Sequence, residues 1–216
     1  MQPQLTREFI TDTLARSAQD VRTRALYELC YLHRHHISGE IVADKLRMIL
    51  RLCADHGLKV EEVSPEFTAY RLGHSGVDRW FAGLTTAEQI DPARVFEMHK
   101  RVMDVFDDLP PEQARSLASK YLHFHFPELF FVYDSRVEAA ALALGWGECG
   151  YLAGGEHDPQ YARFFACCRK LVDAFAPLAG RRPNPRELDR LLRSWTDHQD
   201  LMMMPAASGM PRALHA

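Results

Sequence analysis

Apolar side chains recur along most of the chain at intervals of three and four residues, the spacing of one face of an α-helix. One apolar stripe runs from Ala25 to Leu32, and a second runs from Ile41 to Cys53. Ser38 and Gly39 predict a turn and a helix cap between the two stripes, and Gly57 predicts the end of the second helix. The pattern therefore predicts two helices that each bury one face.

Capping residues and prolines predict where five later helices begin and end. Aspartate followed by proline is a common helix start, because the carboxylate caps the first turn and proline fits the first helical position. A capping box of the form Asn-Pro-Arg-Glu predicts the start of the last helix. The predicted helices run from Asp91–Pro92 to Leu109, from about Glu112 to Phe126, from Asp134 or Ser135 to near Gly145, from Asp158–Pro159 to Pro177, and from Asn184 to near His198.

Four segments lack this helical periodicity. Residues 64–83 contain one proline and three glycines, which predict short helical turns joined by loops. Residues 129–133 are apolar and extended in character, with no second strand for pairing, and residues 147–159 predict a loop. Residues 199–216 predict a disordered tail. We therefore expect an all-α fold with one compact helical domain over residues 1–198. One possible arrangement of its helices is two lobes around a cleft.

Composition and charge narrow the class of protein. The 216 residues carry a net charge of −3, with 47% hydrophobic and 25% charged residues, as in an ordinary globular protein. No apolar run approaches the ~20 residues that cross a bilayer, and the N-terminal segment lacks the pattern of a secretory signal. The five cysteines include no C-x-x-C pair, and Cys167 and Cys168 are expected to pack in the core. We expect a cytoplasmic protein with free thiols and no membrane partner.

The histidines predict no metal site, and the chain lacks the sequence motifs that would predict a nucleotide cofactor. His33, His35 and His36 lie between two predicted helices, and we interpret them as a solvated helix end. His123 and His125 are two positions apart, so a regular helix turns them in different directions. The chain contains no H-E-x-x-H, G-x-S-x-G, P-loop or G-x-G-x-x-G sequence.

Lys120 and Asp134 are the candidate catalytic residues. Lys120 lies in the largely apolar helix that ends before Pro127, and Asp134 opens the next helix. The connector from Pro127 to Tyr133 is long enough to bring the start of that helix back beside Lys120. Two interpretations remain open: a desolvated lysine nucleophile with an aspartate that stabilises positive charge, or a buried ion pair that holds the core together.

The segment from Ser119 to Val137 resembles the helix–hairpin–helix DNA glycosylase superfamily, in particular bacterial proteins with an 8-oxoguanine DNA glycosylase-like fold. The shared pattern is a lysine-bearing helix, an apolar connector, and an aspartate that opens a helix of the form D-[ST]-x-[VI], followed here by Leu144–Gly145. The resemblance covers about a fifth of the chain. It implies a compact helical fold with a substrate cleft.

The resemblance also implies a reaction, the excision of a damaged base such as 8-oxoguanine from double-stranded DNA, with or without strand cleavage. Lys120 would attack the sugar C1′ and form a Schiff base, and Asp134 would stabilise the developing oxocarbenium ion. The damaged base would be flipped out of the duplex. The implied substrate contacts are Tyr121, Phe124 and Trp146 as stacking surfaces, His123 on a phosphate or base, and Arg136.

The hairpin that precedes the lysine departs from the family pattern. The family's hairpin is rich in glycine, whereas the stretch from Leu109 to Ala118 contains none and carries Glu112. The interval from Lys120 to Asp134 is also about one helical turn shorter than in the family. These departures keep a second function open, a catalytically silent helical binding module of a mobile-element or defence locus.

Basic residues near the last helix could contact phosphate or could form a solvated helix face. Others lie nearer the candidate site, and acidic residues are interspersed with both groups. The basic residues concerned are Arg181, Arg182, Arg186, Arg190 and Arg193 near the last helix, and Lys100, Arg101 and Arg115 nearer the site.

Overall fold

The computed structural model describes residues 6–15, 21–55, 63–85, 91–144 and 156–203. Within those ranges the chain forms ten α-helices and no β-strand around one hydrophobic core, so the all-α prediction is confirmed. No helix in the same ranges combines the length and the apolar composition that crossing a membrane requires. In chain order the helices are α1 (Arg7–Ala15), α2 (Val21–Leu32), α3 (Gly39–Asp55), α4 (Pro65–His74), α5 (Val77–Thr85), α6 (Pro92–Val105), α7 (Pro111–His125), α8 (Ser135–Ala143), α9 (Pro159–Ala179) and α10 (Pro185–Met203).

Side-chain caps begin four of the predicted helices. Asp91, Asp134 and Asp158 each accept a hydrogen bond from a backbone N–H in the first turn of α6, α8 and α9. At the start of α10, Asn184 Oδ1 accepts from the Glu187 N–H at 2.9 Å, and Glu187 Oε2 accepts from the Asn184 N–H at 3.0 Å. This reciprocal capping box confirms the prediction made from four consecutive residues.

Residues 64–83 form two regular helices, which corrects the prediction of short turns. Helices α4 and α5 are joined by Ser75 and Gly76 alone, and Gly76 has a φ of 83°, in the left-handed region that glycine adopts without strain. Gly73 and Gly83 lie inside the two helices. Their neighbours bury enough apolar surface to outweigh the low helix propensity of glycine.

The last two helices are longer than predicted. Pro177 lies within the last turn of α9, and the helix ends instead at Gly180, whose φ is 75°. Helix α10 continues past His198 to Met203, so the first residues of the predicted tail are helical. Residues 204–216 lie outside the described residues. The apolar stretch 129–133 forms a turn and an irregular connector, with no strand.

Helix α7 is the central element of the fold. Every residue from Ala114 to His125 is buried, since α2, α3 and α6 all pack against this helix. Helix α7 therefore carries polar side chains into the interior, among them Lys120 and His123. A buried polar group without a partner costs about 1–3 kcal/mol, so the partners of these side chains define the interior chemistry of the protein.

Candidate functional site

The backbone of Tyr133 fixes the connector between α7 and α8 to α7. The Tyr133 N–H donates to Ser119 Oγ at 2.9 Å, and the Tyr133 carbonyl accepts from Ser116 Oγ at 3.1 Å. Ser116 lies one turn before Lys120 on the same helix. This arrangement brings the start of α8, with Asp134, close to Lys120, as the length of the connector predicted.

Lys120 is buried without an acidic partner. Its side chain has no carboxylate oxygen within 4.0 Å among the described residues. Its Nζ donates to Ser116 Oγ at 2.6 Å and to the Tyr133 carbonyl at 3.3 Å. Burial lowers the pKa of Lys120 below its ordinary value. Because only the neutral amine is a nucleophile, this environment favours the reactive form.

Asp134 binds Arg193 and the backbone of α8. Its Oδ2 accepts from Arg193 Nη2 at 2.5 Å, and its Oδ1 accepts from the Val137 N–H at 2.8 Å. Burial alone would raise the pKa of Asp134, but the Arg193 charge and the Val137 N–H lower that pKa below its ordinary value. The direct ion pair between Lys120 and Asp134, one of the two interpretations of the sequence, does not form, because Arg193 occupies the carboxylate.

A cavity of about 270 Å³ lies between α2, α7 and α10. Its volume is close to the lower end of the ~300–1,000 Å³ range of small-molecule sites, which fits a single base or sugar. The cavity is lined by Thr23 and Tyr27 from α2, Leu52 from α3, Lys120, His123 and Phe124 from α7, Val132 from the connector, and Arg186, Asp189, Arg190, Arg193 and Ser194 from α10. Three of the candidate site residues thus share one wall.

Tyr27 and His123 form a hydrogen-bonded pair in the cavity wall. His123 Nδ1 lies 2.7 Å from the Phe130 carbonyl, which can only accept, so we assign the ring proton to Nδ1. His123 Nε2 then accepts from the Tyr27 hydroxyl at 2.5 Å. Burial lowers the pKa of His123 and raises the pKa of Tyr27, so both side chains stay neutral at pH 7. The Arg186 guanidinium covers the Tyr27 ring at 4.4 Å.

The two aromatic candidates on α7 point in different directions. Phe124 lies in the cavity wall and packs against Tyr27, with 4.7 Å between the ring centroids. Tyr121 is fully buried outside the cavity wall, and its hydroxyl bonds to His36 Nε2 at 2.5 Å. One step along a helix turns a side chain by about 100°, so Tyr121 does not accompany Lys120 into the cavity.

The remaining candidate contacts lie elsewhere. Arg136 is on the exposed side of α8 and donates to Asp197 Oδ1 at 3.5 Å, beside a smaller cavity that it shares with Arg193. Trp146 lies outside the described residues.

His36 is buried, which corrects its interpretation as part of a solvated helix end. Its Nδ1 donates to Asp78 Oδ1 at 2.7 Å, and its Nε2 accepts from the Tyr121 hydroxyl. His33 and His35 are exposed, as the sequence predicted. Asp78 belongs to α5, 42 positions along the chain, so no local pattern could indicate that it holds His36.

His125 faces away from the cavity, as its spacing from His123 predicted. Its Nδ1 donates to the Tyr121 carbonyl at 2.8 Å, and its Nε2 accepts from Lys45 Nζ at 3.1 Å. Lys45 is a second buried lysine, and burial lowers its pKa as well. Lys45 does not line the cavity, so the two lysines differ in access to a ligand.

Ion pairs within the chain neutralise several arginines of the basic cluster near α10. Arg186 differs, because it has no carboxylate within 4.0 Å among the described residues and contacts the Tyr27 ring instead. The paired residues are Arg181 with Glu187, Arg182 with Asp173, and Arg193 with both Asp134 and Asp189. A phosphate at the mouth of the cavity would therefore meet Arg186 as an available cation.

The turn between α6 and α7 is acidic. Asp107 and Asp108 lie in this turn and pair with Arg71 at 2.6 Å and 3.1 Å. Helix α7 then begins without a side-chain cap, and Glu112 lies in its first turn. These carboxylates would repel a phosphate that approached the start of α7.

Asp189 and Tyr27 are the two titratable residues of the cavity lining that the sequence did not single out. Asp189 belongs to a run of charged positions on α10 that recur at helical spacing, and this spacing could have indicated a shared charged face. Tyr27 gave no signal, because it is part of an ordinary apolar stripe and lies 96 positions from His123.

Comparisons with protein-family models, with curated proteins and with solved structures find no match to this chain. Among the described residues, no three histidine, cysteine or acidic side chains converge as a metal-binding group. Functional inference therefore depends on the geometry and the charges of the cavity.

Replacement of Lys120 by methionine is expected to raise the free energy of unfolding by about 1 kcal/mol at pH 7, because it removes a buried amine that has no counterion. The folded-state pKa of Lys120 lies below its ordinary value of 10.5, so the wild type regains stability as the pH rises towards that value. The advantage of the variant should therefore shrink between pH 7 and pH 10 in urea titrations.

The control for this substitution is Lys100→Met on the surface of α6. Lys100 pairs with Asp104 at 2.5 Å, and such exposed pairs contribute ~0–1 kcal/mol. A loss of stability in Lys120→Met larger than in the control would show that the Lys120 amine holds the core together.

Proposed function

We propose that this chain is a DNA base-excision glycosylase with lyase activity, acting on a damaged base such as 8-oxoguanine in double-stranded DNA, and that Lys120 is its nucleophile. The observation that carries the proposal is the position of Lys120: a buried amine without a carboxylate partner, in the wall of a cavity between α2, α7 and α10. In this proposal the cavity between these three helices receives the damaged nucleotide.

The proposed reaction begins with attack of the Lys120 amine on C1′ of the damaged nucleotide. A C–N bond forms, the glycosidic bond breaks, and the base leaves with the electron pair of that bond. The amine loses a proton, which balances the charge of the departing base. Ring opening of the sugar gives an imine. Elimination from the imine then releases a C2′ proton to solvent, forms the C2′=C3′ double bond and expels the phosphate with the electron pair of the C3′–O bond.

Other residues of the cavity support substrate binding in this proposal. Phe124 would stack on the flipped base, and Arg186 would bind a phosphate beside the cavity. Asp134 would act mainly through Arg193, by neutralising this guanidinium so that less positive charge opposes the developing oxocarbenium ion. Phosphate binding is assigned to α10 because the turn before α7 is acidic.

The acidic turn also favours a second candidate function, a catalytically silent helical binding module of a mobile-element or defence locus. In that case the cavity would bind a ligand without forming an imine. The two functions differ in one observable property, covalent capture of an aldehyde by Lys120.

Borohydride trapping tests the proposal. Folded wild-type protein is incubated with a duplex that carries either 8-oxoguanine or an abasic site, and borohydride reduces any imine to a stable secondary amine. We expect a protein–DNA adduct, with peptide mapping of the cross-link to Lys120, and no adduct from Lys120→Met. Lys45→Met should retain the adduct, because Lys45 is equally buried but lies outside the cavity wall.

Two results would overturn the proposal. One is the absence of an adduct from folded wild-type protein on both duplexes, which would favour the binding module. The other is an adduct that maps to other amines and persists in Lys120→Met.

A further inference from the structure

Tyr27 and Lys120 line the same cavity from two different helices. Tyr27 is on α2, and Lys120 is on α7. A sugar that filled this cavity of about 270 Å³ would lie against both side chains. The reaction proposed for Lys120 leaves Tyr27 without a role.

The hydrogen bonds of Tyr27 have a fixed direction. Its hydroxyl proton points to His123 Nε2 at 2.5 Å, and the proton of His123 points to the Phe130 carbonyl at 2.7 Å. The Tyr27 oxygen therefore presents lone pairs, and it can accept a second proton while it passes its own to His123. The Phe130 carbonyl would stabilise the imidazolium that results.

The cavity offers few other proton acceptors. Among the described residues that line it, Asp189 is the one carboxylate, and both of its oxygens accept from Arg193 Nε, at 3.1 Å and 2.9 Å. Asp134 is bound by Arg193 and by the N-terminus of α8. The Tyr27–His123 pair is left as the acceptor, with an unprotonated nitrogen, His123 Nε2, that receives the Tyr27 hydroxyl proton.

We propose that Tyr27 is a second catalytic residue and that Tyr27 and His123 form a proton relay for Lys120, an inference that rests on the proposed function. When the amine attacks C1′, its nitrogen becomes positively charged and must lose a proton. That proton moves to the Tyr27 oxygen, and the Tyr27 proton moves to His123 Nε2. The reverse transfer delivers one proton to the departing base, so the relay returns to its initial state.

Arg186 supports this role of Tyr27. Its guanidinium lies over the phenol ring at 4.4 Å, and it is half-buried, so it fixes the ring beside the cavity. A phosphate bound to Arg186 would place the adjoining sugar next to the Tyr27 hydroxyl. Arg186 would thus bind the substrate, and Tyr27 beside it would transfer the proton.

The test is Tyr27→Phe, which keeps the ring and its contact with Arg186 but removes the hydroxyl. Single-turnover rates are measured from pH 6 to pH 9 on duplex DNA with 8-oxoguanine, in which a base departs. We expect a rate about 100-fold lower at pH 7, within the range that general acid–base groups contribute. We also expect the variant's rate to rise with pH across this range, because hydroxide replaces the relay, while the wild-type rate stays nearly flat. Added imidazole should restore part of the lost rate.

The control is Tyr31→Phe, one turn further along α2, where the ring is 72% exposed. Tyr31→Phe should match the wild type at every pH. A Tyr27→Phe rate that equals the wild type, or that falls by the same factor at every pH without imidazole rescue, would overturn the relay and leave the proposed function intact. Absence of any imine adduct in the wild type would overturn both.

Discussion

Replacement of Asp158 by asparagine is expected to lower the free energy of unfolding by about 3 kcal/mol, because it leaves a buried arginine without a counterion. Arg115 Nε donates to both carboxylate oxygens of Asp158, at 3.0 Å and 2.9 Å, and both residues are buried. Asp158 also caps α9 by accepting from the Tyr161 N–H at 2.8 Å. Asparagine preserves this cap, so the loss reports the unpaired charge alone.

Two further variants separate the charge from the cap. Asp158→Ala should lose about 1 kcal/mol more than Asp158→Asn, which is the usual effect of a helix cap. Arg115→Met combined with Asp158→Asn should recover much of the loss, since the charge that lacked a partner is gone. Chemical denaturation of the four proteins measures both effects. If Asp158→Asn cost less than 1 kcal/mol, then water would already solvate Arg115 in the folded state.

Acidification is expected to destabilise the protein well before its carboxylates titrate. Burial is the main cause that lowers the pKa of four histidines, His36, His99, His123 and His125, and the pKa of His99 falls to about 4. An unfolded histidine has a pKa of ~6.5, so below that pH the unfolded chain binds protons that the folded chain excludes. The contribution of these histidines to stability is therefore complete above about pH 7.5 and decreases as the pH falls towards 5.

The number of protons taken up on unfolding measures this effect. Each histidine that stays neutral in the folded state contributes up to ~1.4 kcal/mol per pH unit, so four of them give a steep slope between pH 6 and pH 5. Urea titrations at half-unit intervals give the slope. His125→Gln should remove about one proton from it, whereas the exposed His33→Gln should leave it unchanged. A flat profile between pH 7 and pH 5 would contradict the burial of these rings.

The sequence predicted best those features that local chemistry determines. Asp91, Asp134, Asp158 and Asn184 each begin a helix, because a capping side chain acts within three residues of its own position. The start of α5 was missed because Gly76 allows a two-residue turn between helices. Pro177 did not end α9, because a proline in the last turn removes a single backbone hydrogen bond and the helix continues to Ala179 before Gly180 ends it.

The candidate site could be predicted only in part, because local chemistry determines only some of its contacts. Lys120 and Asp134 were brought to one region because a short connector joins their helices. The partners that determine their chemistry come from distant segments: Arg193 is 59 positions from Asp134, and Tyr27 is 96 positions from His123. Contacts of this kind depend on how helices pack and not on local propensity, so the absence of an ion pair at Lys120 could not be foreseen.

The two walls of the cavity differ in rigidity: α7 forms the more rigid wall, and α2 forms the wall that is more easily displaced. Lys120 belongs to α7, whose side chains are buried on every side from Ala114 onwards, so displacement of this helix would disturb the whole core. Tyr27 belongs to α2, where Leu26 and Cys30 are the fully buried residues, so displacement of α2 exposes less of the core than displacement of α7 and requires less free energy. Under the proposed function, a nucleotide too large for the closed cavity would therefore enter by displacing α2, and Tyr27 would return to the cavity wall only as α2 closed.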